Sequence, residues 1–228
     1  LREPKRIDSI LGALREAVEI PFTVKTRIGF DNPVVFDELL PIFAKHQIDL
    51  LTVHGRTVYE GYRSAVHYDY IAQAVDTLPF PVLANGNIYS ANKALTVLAD
   101  TGAAGLMIGR GGIRNPWLFH QIRQAQNGAT PFMPTGQDVL DYLRDLFEVI
   151  RLPGLKERAH VRKMKKYFNY IGIGIEPTGD FLHRIRRAAT AIEYFDICSE
   201  FLDHDRSMPL EPFDIALKPR DVLAGQHR

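Results

Sequence analysis

The first 130 residues alternate between short, nearly continuous apolar runs and longer segments whose apolar residues recur every three to four positions. The first pattern is typical of strands that are buried on both faces, and the second of helices that bury one face. After an N-terminal helical segment, four such strand and helix units follow one another, which predicts βαβ units and a parallel sheet. The strand candidates lie in PFTVKTRIGF, DLLTVHGRT, FPVLANGNI and AGLMIGRGG.

Beyond a linker rich in proline and glycine, NGATPFMPTG, the strand pattern stops. From Gln137 onward the apolar spacing is helical, which predicts a small helical bundle. The sequence therefore predicts two domains, 1–130 and 131–228, and an irregular tail from Pro209. The helical segments are QDVLDYLRDLFEVIR, KERAHVRKMKKYFNYIG and TGDFLHRIRRAATAIEYFDICSEFLDH.

Composition excludes several kinds of protein. With 46% hydrophobic residues the 228-residue chain can build a core, and a net charge of +1 gives no general indication of a nucleic-acid partner. One cysteine excludes an internal disulfide and a thiolate-rich metal site, and the histidines lack the spacing of metal ligands. No apolar stretch is long enough to span a membrane. We therefore predict a soluble, cytoplasmic protein without a metal.

Polar or small residues follow each apolar run at its carboxyl end, where parallel α/β folds bind their ligands. Residues of this kind predict a ligand-binding cleft at the carboxyl ends of the strands, where Gly55 allows the backbone to turn. These residues are Lys25 and Arg27, His54 and Arg56, Asn85 and Asn87, and Gly109 and Arg110.

The last two units indicate a phosphate site. ANGNI and MIGRGG each place small residues before a helix, whose N-terminus favours an anion, and Arg110 adds a charged donor. The alternative is that the glycines serve tight turns. Similarly, Lys25 either contacts a ligand or extends to solvent, and His54 is either a ligand contact or a structural histidine.

The helical region is locally basic. Between positions 156 and 187 there are nine basic residues and three acidic residues, and aromatic residues are interspersed among the basic ones. Such a run is either a solvated helix face or a surface for a polyanion, and two clusters on neighbouring helices favour RNA. The basic residues are Lys156, Arg158, Arg162, Lys163, Lys165, Lys166, Arg184, Arg186 and Arg187.

From about Pro21 to Phe201, the motifs VKTRIGF, TVHGRT, YRSAVHYDYI, VLANGNI, GLMIGRGGIRNPWLF and RKMKKYFNYI resemble the bacterial tRNA-dihydrouridine synthases in order and spacing. The resemblance implies the C-terminal half of an FMN-binding TIM (β/α)8 barrel, followed by a helical tRNA-binding domain. It also implies reduction of uridine to 5,6-dihydrouridine in tRNA, with NADPH as reductant and a cysteine as proton donor.

By position, the resemblance implies roles for single residues. Lys25 and His54 resemble contacts to the flavin ring. The segments that hold the FMN phosphate correspond to Asn85, Gly86, Asn87, Gly109 and Arg110. Substrate or RNA contacts correspond to Arg27, Arg56, Arg162, Lys163 and Lys166. The stretch YRSAVHYD departs from the family pattern, which has a glycine near Ser64 and often an acid near His67.

The family's cysteine motif, Asn-x-Gly-Cys-Pro, does not occur in this sequence. Cys198 lies in an apolar helical stripe and is expected to be buried and inert. We therefore expect that this chain contains no catalytic residue and that it is an enzyme fragment, inactive alone. Because the other half of the barrel is missing, we also expect open sheet edges that favour self-association. Two alternatives stay open: a non-catalytic RNA-binding module, and another FMN-barrel oxidoreductase that acts on a small pyrimidine or enone.

Overall fold

The computed structural model describes residues 1–213. It divides into two compact units, of which the first is Leu1–Gly109 and the second begins at Arg110. Residues 209–213 of the predicted tail contain no helix or strand, and the rest of the tail lies outside the described residues. Within the described range, no helix has the length and hydrophobicity that a membrane span requires.

Helices and strands alternate through the first unit as the apolar pattern predicts. The side chain of Ser90 accepts a hydrogen bond from the Lys93 amide and so begins the fourth helix, while Gly102 ends it at a φ of 64°. The elements are α1 (Pro4–Ala17), β1 (Thr23–Arg27), α2 (Phe36–Lys45), β2 (Leu50–His54), α3 (Tyr68–Thr77), β3 (Val82–Asn85), α4 (Ala91–Thr101) and β4 (Gly105–Met107).

The four strands form one parallel sheet in the order β1-β2-β3-β4, which confirms the predicted parallel sheet. Because crossovers between parallel strands are right-handed, a sequential order places all the crossover helices on the same face. Leu51, Val53, Val82 and Ala84 pack on that face in one core with residues of α1, α2, α3 and α4. Side chains alternate along a strand, so Thr52 and its equivalents lie on the opposite face.

The second unit is helical. Val139, Leu143, Met164, Phe168 and Tyr194 are among the residues that form its core. Its elements are α5 (Arg110–Arg114), α6 (Leu118–Gln126), α7 (Gly136–Val149), α8 (Glu157–Ile171), a single 3-10 turn (Gly172–Gly174), α9 (Asp180–Ile185) and α10 (Ala191–Leu202).

The third helical segment of the sequence is broken into α9 and α10. Thr190 starts a new helix because its hydroxyl accepts from the Glu193 amide, while the Glu193 carboxylate accepts from the Thr190 amide. A second capping box, formed by Thr135 and Asp138, starts α7. Residues 186–190 therefore form a turn where the apolar spacing alone suggested continuous helix.

The two units divide earlier than the predicted boundary at 130/131, because α5 and α6 pack in the helical unit. The Tyr142 hydroxyl donates to the Ile113 carbonyl at 2.8 Å, and Nε of Arg114 donates to the Tyr170 carbonyl at 2.9 Å. The ring of Trp117 packs edge-on against Tyr142 at 6.0 Å. Ile113 and Trp117 thus pack against the helical core, although they follow the last strand of the sheet.

Candidate functional site

Three predicted ligand residues end neighbouring strands in a single register row. Arg27 of β1 pairs with His54 of β2, and His54 pairs with Asn85 of β3. Lys25 lies two residues before Arg27 and therefore projects from the same face, which is opposite the helices. The carboxyl edge of this face thus combines two cations, an imidazole and an amide.

Local contacts set the electrostatics of the row. Lys25 is exposed as a whole residue, although its ammonium group is partly desolvated. This desolvation is the larger cause that lowers the pKa of the ammonium group, and the charge of Arg27 is the smaller one. His54 is 5% exposed. The Asn85 side-chain nitrogen donates to the Met107 carbonyl at 2.7 Å, which fixes that amide. The carboxyl edge therefore has an exposed ammonium group beside a buried imidazole and an amide fixed by a hydrogen bond.

Tyr62, in the loop between β2 and α3, lies beside this row and was missed by the sequence reasoning. Its ring centroid is 6.0 Å from that of His54 and 5.6 Å from the guanidinium carbon of Arg27. Arg27 holds the loop by donating to the carbonyls of Thr57 at 2.6 Å and Gly61 at 3.3 Å. With 60% of its surface exposed, Tyr62 offers an aromatic face to a ligand.

Arg56 is buried in the same loop, with 1% of its surface exposed. Its Nε and Nη2 donate to the Ser64 carbonyl at 2.9 and 2.5 Å, and its Nη1 lies 3.4 Å from Oδ1 of Asn87. These contacts join the loop to the end of β3. Arg56 therefore helps to position this loop, and the substrate or RNA contact that the resemblance implies for it stays a prediction.

Glu60 organises the loop through both carboxylate oxygens. Oε2 accepts from the Thr57 amide at 2.7 Å, and Oε1 lies 2.7 Å from Nε2 of His67. Burial alone would raise the pKa of Glu60, but the hydrogen bonds from His67 and Thr57 lower it to about 2. The family pattern often has an acid near His67. In this chain the acidic partner of His67 is Glu60, seven residues earlier in the sequence.

Gly55 and Gly86 are required by close packing at the carboxyl edge. A Cβ atom at Gly55 would lie 2.7 Å from the His67 carbonyl oxygen, and one at Gly86 would lie 2.9 Å from Cγ1 of Val66. Gly86 has a φ of 136°, which favours glycine, and its carbonyl accepts from the Tyr68 hydroxyl at 2.7 Å. The backbone after β3 is therefore tightly fixed.

The remaining predicted phosphate residues lie where the units divide. A Cβ atom at Gly109 would meet no other atom within 4 Å, so packing does not require a glycine there. Arg110 opens α5 in the second unit. Burial, and then the charge of Arg110, lower the pKa of Arg114 to about 10.

A basic pocket of about 410 Å³ lies in the second unit, and we call it the α8 pocket. Arg162, which the resemblance places on the tRNA-binding helix, lines it, whereas Lys163 and Lys166 do not. Lys163 instead donates to the Ile150 carbonyl at 2.8 Å, at the end of α7. The pocket is lined by Lys156, Arg158, Ala159, Arg162, Lys165, Arg187, Ala188 and Ala189.

Cys198 lies in the core of the second unit with no exposed surface. Burial raises the pKa of its thiol to about 12, although the neighbouring Tyr194 hydroxyl acts in the opposite direction. A thiol of this kind is neither accessible nor reactive. This is the inert cysteine that the sequence pattern predicts.

Comparisons with known proteins agree with the motifs. The chain is 29% identical over 203 residues to tRNA-dihydrouridine(16) synthase of Neisseria meningitidis serogroup A, covering 88% of this chain and 61% of that protein. It is 31% identical over 183 residues to a probable tRNA-dihydrouridine synthase of Rickettsia conorii, covering 79% and 55%. For tRNA-dihydrouridine(16) synthase of Shewanella oneidensis the identity is 29% over 208 residues, covering 90% and 64%.

The chain thus spans about 60% of the length of these curated relatives. A family profile described as dihydrouridine synthase (Dus) matches residues 1–193, which include all four strands and most of the helical unit. The chain therefore belongs to the dihydrouridine synthase family, which confirms the resemblance predicted from its motifs.

Proposed function

We propose that this chain is part of a tRNA-dihydrouridine synthase, which reduces uridine to 5,6-dihydrouridine in tRNA in the cytoplasm. The row of Arg27, His54 and Asn85 on the face opposite the helices is the observation that carries the proposal. Family membership and the names of the relatives support the reaction. The sequential strand order, with helices on one face, supports the assignment of these four units to half of a TIM barrel.

The residues of the first unit fit FMN. Lys25 and His54 lie on the ligand-facing side of the sheet, and the turn at Gly86 and Asn87 follows β3 with positive φ values of 136° and 47°. When bound there, FMN would supply hydride to the pyrimidine ring, with NADPH as the source. The ammonium group of Lys25 would stabilise negative charge on the ring, and Tyr62 would face the substrate base.

Reduction of the uracil double bond also requires a proton on the second carbon. Cys198 cannot donate it, because its thiol is buried and has a pKa of about 12. We therefore propose that this chain contributes cofactor and RNA contacts and no catalytic residue. Incubated alone with FMN, NADPH and unmodified tRNA, it should form no dihydrouridine, and product formation would contradict this assignment.

The cofactor site is tested by adding FMN to the purified chain, removing the excess and recording the visible absorption spectrum. Retained and perturbed flavin bands are expected for the unaltered chain, with weaker retention for Lys25→Gln. Lys45→Gln is the matched control, since Lys45 lies on α2 and pairs with Asp8 at 2.9 Å. Absence of flavin together with tight tRNA binding would instead favour the RNA-binding module. Flavin binding without tRNA binding would favour an oxidoreductase of small substrates.

A further inference from the structure

We propose that Tyr68 is a positioning residue for the cofactor phosphate, and that it acts by holding the peptide group between Gly86 and Asn87 in one orientation. This inference rests on the proposed function, because it takes the turn at Gly86 and Asn87 as the segment that binds the phosphate of FMN. The resemblance assigns the turn, whereas the role of Tyr68 follows from the tertiary structure, in which its hydroxyl donates to the Gly86 carbonyl at 2.7 Å.

The peptide group between Gly86 and Asn87 is held by side chains. Within residues 1–213, no backbone–backbone hydrogen bond reaches the Gly86 carbonyl or the Asn87 amide. The two residues have φ values of 136° and 47°, and a positive φ is uncommon for a residue other than glycine. Besides the hydroxyl of Tyr68, Nη1 of Arg56 lies 3.4 Å from Oδ1 of Asn87, which is a longer contact. The conformation of the turn therefore depends on Tyr68 in particular.

Tyr68 is itself fixed by the rest of the first unit. It is the first residue of α3, and its ring packs against the core that contains the buried Ile71 of the same helix. The ammonium nitrogen of Lys93 lies 4.9 Å from the centroid of the ring. Burial raises the pKa of the phenol to about 12, although the charge of Arg56 acts in the opposite direction. The hydroxyl therefore keeps its proton at neutral pH and remains a donor.

The orientation of this peptide group decides what the turn offers to an anion. The peptide bond is trans, so its C=O and N–H groups are directed to opposite sides. Because the Gly86 carbonyl is directed at Tyr68, the Asn87 amide is directed away from it, and within residues 1–213 this amide has no acceptor. An anion binds backbone N–H groups. Tyr68 thus selects the orientation in which the turn can donate to a phosphate oxygen.

Without the hydroxyl, the peptide group can rotate, because glycine permits backbone conformations that other residues do not. The rotated form presents a carbonyl oxygen where the amide was, and that oxygen repels an anion. The variant Tyr68→Phe keeps the ring and removes only the donor. A single hydrogen bond shifts such an equilibrium about 2- to 12-fold, and the apparent affinity falls with the fraction of the competent form. We therefore expect the Kd for FMN to rise about 3- to 10-fold.

The test compares two flavins by fluorescence titration of the full chain: FMN, and riboflavin, which lacks the phosphate. Tyr68→Phe should weaken binding of FMN and leave the Kd for riboflavin unchanged, because only FMN carries the group that the turn binds. In ³¹P NMR, the resonance of bound FMN in this variant should move toward the position of free FMN. Circular dichroism reports whether the variant is folded, and an unchanged affinity for riboflavin confirms that the rest of the site is intact.

The matched control is Tyr70→Phe, two residues further along α3, where the ring packs edge-on against Phe36 at 6.0 Å. This control should leave both Kd values unchanged. If Tyr68→Phe binds FMN as the unaltered chain does, if it weakens both flavins equally, or if the control weakens FMN to the same extent, Tyr68 does not position the phosphate and the proposed function stands. Failure of the unaltered chain to bind FMN would overturn both the inference and the proposed cofactor site.

Discussion

Glu60 provides a test of how the loop between β2 and α3 is held. In the variant Glu60→Gln the size is retained, but the charge that binds the Thr57 amide and His67 is lost. The pKa of Glu60 is about 2, against an ordinary value of 4.5. This difference corresponds to about 3 kcal/mol if it were fully realised. Because the side chain is 22% exposed, we expect solvent screening to reduce it to about 1 to 2 kcal/mol.

Hydrogen exchange over residues 55–67 measures this free energy locally. A loss of about 1.4 kcal/mol should accelerate exchange about tenfold at pH 7 in the variant relative to the unaltered chain. Since the folded pKa is depressed, the stabilisation is present above the unfolded value of 4.5 and is lost as the pH falls toward about 2. The ratio of exchange rates should therefore approach one at low pH.

The matched control is Glu16→Gln, on the exposed surface of α1. It should leave exchange in the loop unchanged at every pH. A ratio close to one at pH 7 for Glu60→Gln, or a tenfold ratio that does not change with pH, would refute the role of the ionised carboxylate.

Four further predictions concern stability and reactivity. Gly86→Ala should lower the free energy of unfolding by about 1 to 3 kcal/mol, because of its φ of 136° and the contact with Val66, whereas Gly109→Ala should be tolerated. Chemical denaturation compares the two. Thr190→Ala removes a capping box and should cost about 1 kcal/mol, seen as a lower Tm. Cys198 should react with a thiol reagent after unfolding and not before, since its thiol is buried. The edge strands β1 and β4 each pair with one neighbour, so sedimentation should detect self-association that increases with concentration.

Sequence reasoning predicted the strands and the row of candidate ligand residues because both depend on short-range patterns. An apolar run followed by Arg27, His54 or Asn85 is visible in one dimension, and parallel pairing then aligns the strand ends. The boundary between α9 and α10 was missed because a capping box at Thr190 interrupts an apolar spacing that continues through it. The division at Arg110 was missed because it depends on packing of α5 and α6.

The sequence by itself determined the alternating architecture of the first unit, the family and the position of most candidate ligand residues. It did so because strand and helix periods, glycine turns and motif order are local properties. Only the tertiary structure decided that Arg56 is buried, that Lys163 caps α7 and that Tyr62 faces the strand ends. The α8 pocket is also decided by the tertiary structure, since Arg158 and Arg187 line one cavity only when the turn before α10 packs beside α8. Such contacts join residues distant in the chain, and no local pattern encodes which side chains meet.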